Sequence, residues 1–243
     1  MSDPGVVRLL ETMPQAASGP ALQQAVLGSG HFLAEEFRFL ASKVASLAAS
    51  RFTTIGVVSA SPAEGKTTVA LGLAAALSRS STQRVVLLEA DLRQPSVEKY
   101  LGLPRANGVA EWLTGSADAI PVRTISPSGF AIIAAGRERL VHPELLGSER
   151  MGALMGACQL SFGFVIVDCP PLSPVADAVA MQDLLDGFLL VVRARNAPRE
   201  TIQRAVSRLK DGRVQGVVFV DPPAILPSGY SYGYRRYGGA RKN

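Results

Sequence analysis

The chain has 243 residues, enough for one sizeable core and few for two. No apolar run reaches the roughly 18 residues of a membrane span, and MSDPGVVRLLETMPQAASG lacks the basic start and long apolar stretch of a secretory signal. Two cysteines, Cys158 and Cys169, are too few for a disulfide framework or a cysteine-based metal site, and read as free thiols of a cytosolic protein. The net charge of +5 is compatible with nucleic acid, but its location argues otherwise. Arg235, Arg236, Arg241 and Lys242 carry all but one unit of it, leaving a nearly neutral body. Such a tail suits acidic lipid, an acidic protein surface or no partner.

In chain order, residues 1–25 are mixed and contain Gly, Ser and Pro, as expected of a flexible segment with at most a helical turn. From 32 to 49 the apolar positions Phe32, Phe39, Leu40, Val44 and Leu47 recur at helical spacing. RFTTIGVVS, from Arg51, reads as a strand that enters the loop SPAEG, and an Ala/Leu-rich helix follows over 66–79. RVVLLEA, from Arg84, is apolar without alternation, as a strand buried on both faces requires. Short helices are expected at 96–101 and 109–113, and a strand at FAIIAAG from Phe130. Pro143 is placed to open a helix running to 157, with Glu144 in its first turn. Then come the strand FGFVIVD from Phe162, a helix over 175–184, the strand GFLLVVRA from Gly187, a helix over 200–209 and the strand VQGVVFV from Val214.

Strand and crossover helix in repetition predict an α/β fold: a mostly parallel sheet covered by helices on both faces. Ligands in such sheets bind at the carboxyl ends of strands. Three candidate sites fall there: the loop after Ser59, Glu89 to Asp91, and Asp168. The domain reading is a flexible segment over 1–25, a nucleotide-binding domain over 26–221 and a flexible tail over 222–243.

The loop Ala60-Ser61-Pro62-Ala63-Glu64-Gly65-Lys66-Thr67-Thr68 lies between a strand and a helix. Backbone N–H groups of Ser61, Ala63, Glu64, Gly65, Lys66, Thr67 and Thr68 can surround phosphate there. Lys66 would reach the β- and γ-phosphates, and the Thr67 hydroxyl would hold Mg²⁺. The strict pattern has glycine where Ala60 stands, which matters only if that backbone needs positive φ or close ligand approach. Ser61 stands where a ParA- or MinD-like ATPase would carry a second lysine.

In LLEADLR, Glu89 and Asp91 lie two apart on extended chain, hence on one face at a strand end. FVIVDCPP ends another strand with Asp168. Mg²⁺ takes hard oxygen ligands, which assigns Asp168 to the metal and Asp91 to its waters or to the proton of an incoming hydroxyl. Glu89 joins Lys66 and Asp91 in the candidate catalytic set. Arg93 is placed to touch phosphate or to pair with Glu89. His31 and His142 have no partner pattern, Trp112 and Leu113 suit packing, and Pro170-Pro171 makes Cys169 part of a rigid bend.

Together these motifs resemble the bacterial tyrosine kinases of capsule and exopolysaccharide synthesis, over most of the chain from about Leu33 to Val220. SPAEGKTT resembles the family's first nucleotide loop, LLEADLRQP its second acidic motif and VIVDCPP its third, followed by Asp177-Ala178. NGVAEWLTG and HPELLGSERM resemble two further blocks. Tyr230, Tyr232, Tyr234 and Tyr237, four of the five tyrosines, resemble the family's autophosphorylation cluster. The resemblance implies a tyrosine autokinase that uses ATP and Mg²⁺. It also implies a membrane polysaccharide co-polymerase whose cytoplasmic segment recruits the chain to the inner face of the membrane, a separate tyrosine phosphatase, a homo-oligomer and no nucleic acid.

Four positions depart from the family pattern. Glu89 replaces an aspartate and Ala63 a loop glycine. Glu35 and Arg38 fit the oligomerisation segment, but Ala41 replaces its second arginine. Val220 stands where relatives of the wider group carry a base-reading asparagine. These departures motivate the alternatives: a nucleotide-binding scaffold with little turnover, or a ParA-like ATPase. An adhesive, unmodified tail is a further reading.

Overall fold

The computed structural model describes residues 7–16, 32–48, 52–138, 143–174 and 177–220. Eight strands form one sheet: β1 (Arg8–Ala16), β2 (Thr54–Ser59), β3 (Val85–Glu89), β4 (Ala119–Ser126), β5 (Ala131–Ile133), β6 (Phe164–Asp168), β7 (Gly187–Arg193) and β8 (Val214–Val220). Their order is β1-β4-β5-β3-β6-β2-β7-β8, with β4 and β5 antiparallel and every other pair parallel. The helices are α1 (Phe32–Ala48), α2 (Lys66–Ser80), α3 (Val97–Leu101), α4 (Val109–Thr114), α5 (Glu149–Ser161), α6 (Asp177–Ala180) and α7 (Arg199–Val206).

The central strands are buried on both faces, so their alternating side chains supply two cores. Val58, Val86, Leu88, Val165 and Val167 meet Trp112 of α4 and Leu154 of α5 on one face. Ile55, Val57, Leu87 and Ile166 meet α1, α2 and α3 on the other. Gly72 lets α1 come close to α2, since a Cβ there would sit 2.3 Å from the Phe37 ring. Trp112 packs as expected: it is buried, donates to the Arg150 carbonyl at 2.8 Å and lies under the Arg150 guanidinium. Both cysteines are free and buried, and burial pushes the Cys158 thiol up to about 12.

Three local expectations are corrected. Residues 8–16 form strand β1 rather than a loose segment, because β4 offers them a parallel edge, in register from Arg8 opposite Ala119. The helix expected from Pro143 is instead a short 3-10 turn, Pro143–Gly147, followed by α5. Ser148 caps α5 by accepting from the Met151 N–H at 3.3 Å. The helix expected over 175–184 reduces to α6 and a 3-10 turn at Gln182–Leu184. Among the described residues no helix is long and apolar enough to cross a membrane.

Candidate active site

A cleft of about 700 Å³ opens at the carboxyl ends of β2, β3 and β7. The loop from Ala60 to Gly65 joins β2 to α2 along one wall. Gly65, with φ 97°, turns the chain so that α2 starts at Lys66 with its N-terminus at the loop. Pro62, Ala63, Glu64, Gly65, Lys66, Thr67 and Thr68 all line the cleft. Ser61 takes a supporting place: its N–H donates to Glu64 Oε2 at 3.0 Å. Ala60 has no left-handed backbone, so the missing first glycine has no conformational consequence. The positive φ falls on Ala63, at 61°.

Four residues of the expected set converge. The Thr67 hydroxyl donates to Asp168 Oδ2 at 2.7 Å, and Lys66 Nζ lies 3.9 Å from Asp91 Oδ2. Asp168 is fully buried and its Oδ1 has no hydrogen-bond partner. Burial pushes Asp168 up to about 7, against the pull of Thr67 and Lys66. Asp91 is raised as well, by burial first, with Lys66 opposing. A buried carboxylate oxygen without a partner, next to a threonine hydroxyl, is a donor set that suits a hard cation such as Mg²⁺. Among the described residues no group of three or more acidic, His or Cys side chains could hold a metal, so a cation here would rest on few protein ligands.

Glu89 is not brought to the cleft. It stands opposite Asp168 in the register, but its Oε1 accepts from the N–H groups of Ser96 and Val97 and its Oε2 from Ala135. That carboxylate closes the N-terminus of α3 and ties it to the chain after β5. Its oxygens are taken up by these backbone groups, whereas the sequence places it in the candidate catalytic set. Arg93 pairs with Asp177 at 2.6 Å, not with Glu89, while still lining the cleft.

Several cleft residues had no role in the sequence reading. Ser96 places its hydroxyl 3.2 Å from that of Thr67, and Tyr100 of α3 lines the wall. Arg193 lies on the opposite side beside Val220. No local signal marks them, because sheet order brings them there. Glu35 and Arg38 are exposed and bonded to each other on α1, whereas Ala41 is fully buried. The four tail tyrosines, His31 and His142 lie outside the described residues.

The fold and this loop define a P-loop ATPase, and a family model described as the ATPase MipZ matches residues 55–185. Within that class, the chain belongs to the bacterial tyrosine-kinase family of capsule and exopolysaccharide biosynthesis. It is 34% identical over 182 residues to a putative tyrosine-protein kinase EpsB of Ralstonia solanacearum, covering 73% of this chain and 24% of that protein. It is 33% identical over 178 residues to the succinoglycan biosynthesis transport protein ExoP of Rhizobium meliloti, covering 71% of this chain and 22% of that protein. The kinase domain of the Escherichia coli tyrosine kinase ETK superposes with a TM-score of 0.74 at 26% identity, over 84% of this chain and 82% of that one. The chain thus spans about a quarter of the length of the curated relatives it matches.

Proposed function

We propose that the chain is an ATP-dependent protein tyrosine autokinase that regulates exopolysaccharide synthesis or export. The observation that carries the reading is the convergence of Lys66, Thr67, Asp91 and Asp168 on one cleft behind a phosphate loop. The loop N–H groups and Lys66 would bind the β- and γ-phosphates of ATP. Thr67 and Asp168 would hold Mg²⁺, which when bound neutralises phosphate charge. The phenol oxygen of a tail tyrosine (Tyr230, Tyr232, Tyr234 or Tyr237) forms the new bond to the γ-phosphorus. The bond to the bridging oxygen of ADP breaks, and the phenol proton passes to Asp91. A phenol ordinarily holds its proton to pH ~10, so a carboxylate raised by burial is a useful acceptor.

In this reading the chain works in the cytoplasm, recruited to the inner face of the membrane by the cytoplasmic segment of a polysaccharide co-polymerase. A tyrosine phosphatase resets the tail, and a homo-oligomer presents one subunit's tail to another. The test is intact mass after incubation with ATP and magnesium. Steps of roughly 80 Da, one per phosphate, are expected. They should be absent in Lys66→Met and mostly absent when all four tail tyrosines become phenylalanine. Undiminished labelling in either variant would remove the assignment.

One observation favours a second reading, a nucleotide-binding scaffold with little turnover. Because Glu89 is committed to backbone groups, Asp91 is the carboxylate that the β3 end offers the cleft. Calorimetric ATP binding without phosphotyrosine would select the scaffold.

A further inference from the structure

Among the described residues, two non-glycine positions have left-handed backbone: Ala63, with φ 61°, and Arg195, with φ 60°. They lie in two loops that are bonded to each other. Ala63 is in the phosphate loop, and Arg195 is in the turn that leaves β7. From that turn Asn196 Nδ2 donates to Glu64 Oε1 at 3.2 Å, and Arg193 Nη1 donates to the Ala63 carbonyl at 3.2 Å. The second oxygen of Glu64 accepts the Ser61 N–H, so one buried carboxylate joins the start of the loop to the turn after β7.

A left-handed alanine is disfavoured by the contact of its Cβ with the backbone, a penalty that glycine escapes. Strain of this kind persists where surrounding contacts over-determine it. The two donors from the β7 turn act on the strained residue and on its neighbour. They fix the Ala63 carbonyl and the Glu64 carboxylate in place.

We propose that the turn Arg193–Asn196 is a clamp on the phosphate loop, with Asn196 as a positioning residue for nucleotide that acts through Glu64 and Ala63. The clamp replaces conformational freedom that a loop glycine would supply. The proposal rests on the nucleotide-binding reading above. Asn196 is exposed and does not line the cleft, so its effect on ATP must pass through the loop. Arg193 does line the cleft, so its truncation would mix a direct contact with the clamp.

The experiment is a double-mutant cycle by titration calorimetry with ATP and magnesium, using wild type, Asn196→Ala, Ala63→Gly and the double variant. Asn196→Ala should weaken binding about tenfold, the scale set by the cost of a left-handed alanine. In the Ala63→Gly background the same change should weaken it less than about twofold. Asn196→Asp, which sets a second carboxylate against Glu64, should weaken ATP binding at least as much as Asn196→Ala. Nucleotide-free melting temperatures should fall by similar amounts for Asn196→Ala in the wild-type and Ala63→Gly backgrounds, because both lose the donor to buried Glu64, so the background-dependent part of the ATP loss reports the clamp. Equal losses in both backgrounds, or no loss in either, would overturn the clamp while leaving the nucleotide site intact. A wild-type chain that binds no ATP would instead overturn the nucleotide reading, and the clamp with it.

Discussion

The Thr67 hydroxyl donates to Asp168 Oδ2 at 2.7 Å, and the other oxygen of that buried carboxylate is left without a partner. The arrangement makes Asp168 a pH-dependent element. Its carboxyl is raised from 3.8 to about 7, first by burial. Between those values the folded chain holds a proton that the unfolded chain has released. Stability of the nucleotide-free protein therefore falls as pH rises through this window. Cation binding needs the carboxylate and should strengthen over the same window. Melts from about pH 5 to about pH 8 should show this loss in wild type and a smaller one in Asp168→Asn, where Asp91, also raised by burial, still contributes. Magnesium-dependent ATP affinity in wild type should rise towards pH 7 and level off above it.

Glu89 leads to a prediction opposite to the one its family position implies. Shortening it to aspartate restores the family's usual residue, but it withdraws the carboxylate from the N–H groups of Ser96, Val97 and Ala135. Buried donors left without partners cost roughly 1–3 kcal/mol each. Glu89→Asp should therefore lower the urea midpoint by an amount equivalent to about 2 kcal/mol or more. It should add no phosphorylation rate. A variant as stable as wild type and faster in autophosphorylation would return Glu89 to the catalytic group.

The parts of the site carried by local pattern were legible in the sequence. A strand, a glycine-lysine-threonine turn and a helix announce a phosphate loop, and acidic residues at the ends of apolar runs announce the cleft carboxylates. What lay hidden depends on sheet order. Glu89 and Asp168 end neighbouring strands in similar apolar surroundings, and only the packing of α3 and of the chain after β5 turns one of them into a scaffold. The turn after β7 reaches the phosphate loop because β7 lies beside β2, across 132 residues of sequence. Strand β1 was hidden for the same reason: RLLETMPQA has no strand alternation of its own and is ordered by pairing with β4.

Arg93 couples stability to chemistry. Its partner Asp177 is nearly buried, so Arg93→Ala would leave a carboxylate inside the fold without its cation. Breaking such a pair by removing one member costs roughly 3–5 kcal/mol in full burial, and less here because Arg93 is partly exposed. Arg93 also helps to lower the Asp91 carboxyl, which burial raises. Without it Asp91 stays protonated to higher pH. The acid limb of the autophosphorylation rate should therefore move to higher pH in Arg93→Ala, and less in Arg93→Lys. An unshifted limb would show that the proton goes elsewhere.

Helix α1 separates a surface role from a core role within a few residues. Glu35 and Arg38 are about half exposed and bonded to each other. Exposed pairs of this kind contribute roughly 0–1 kcal/mol, so removing them leaves the fold unchanged. Ala41 faces the other way and is fully buried in the cluster with Phe37, Val44 and Leu73. Restoring the family arginine by Ala41→Arg would drive a guanidinium into that cluster, a change expected to cost about 3 kcal/mol or more. Sedimentation velocity and thermal melts divide the two faces. Glu35→Ala with Arg38→Ala should shift any self-association and leave the melting temperature within a degree or so of wild type. Ala41→Arg should lower the melting temperature by several degrees and add no larger species. If Ala41→Arg instead melts like wild type and assembles, α1 is free to turn its buried face outward, and position 41 belongs to an interface.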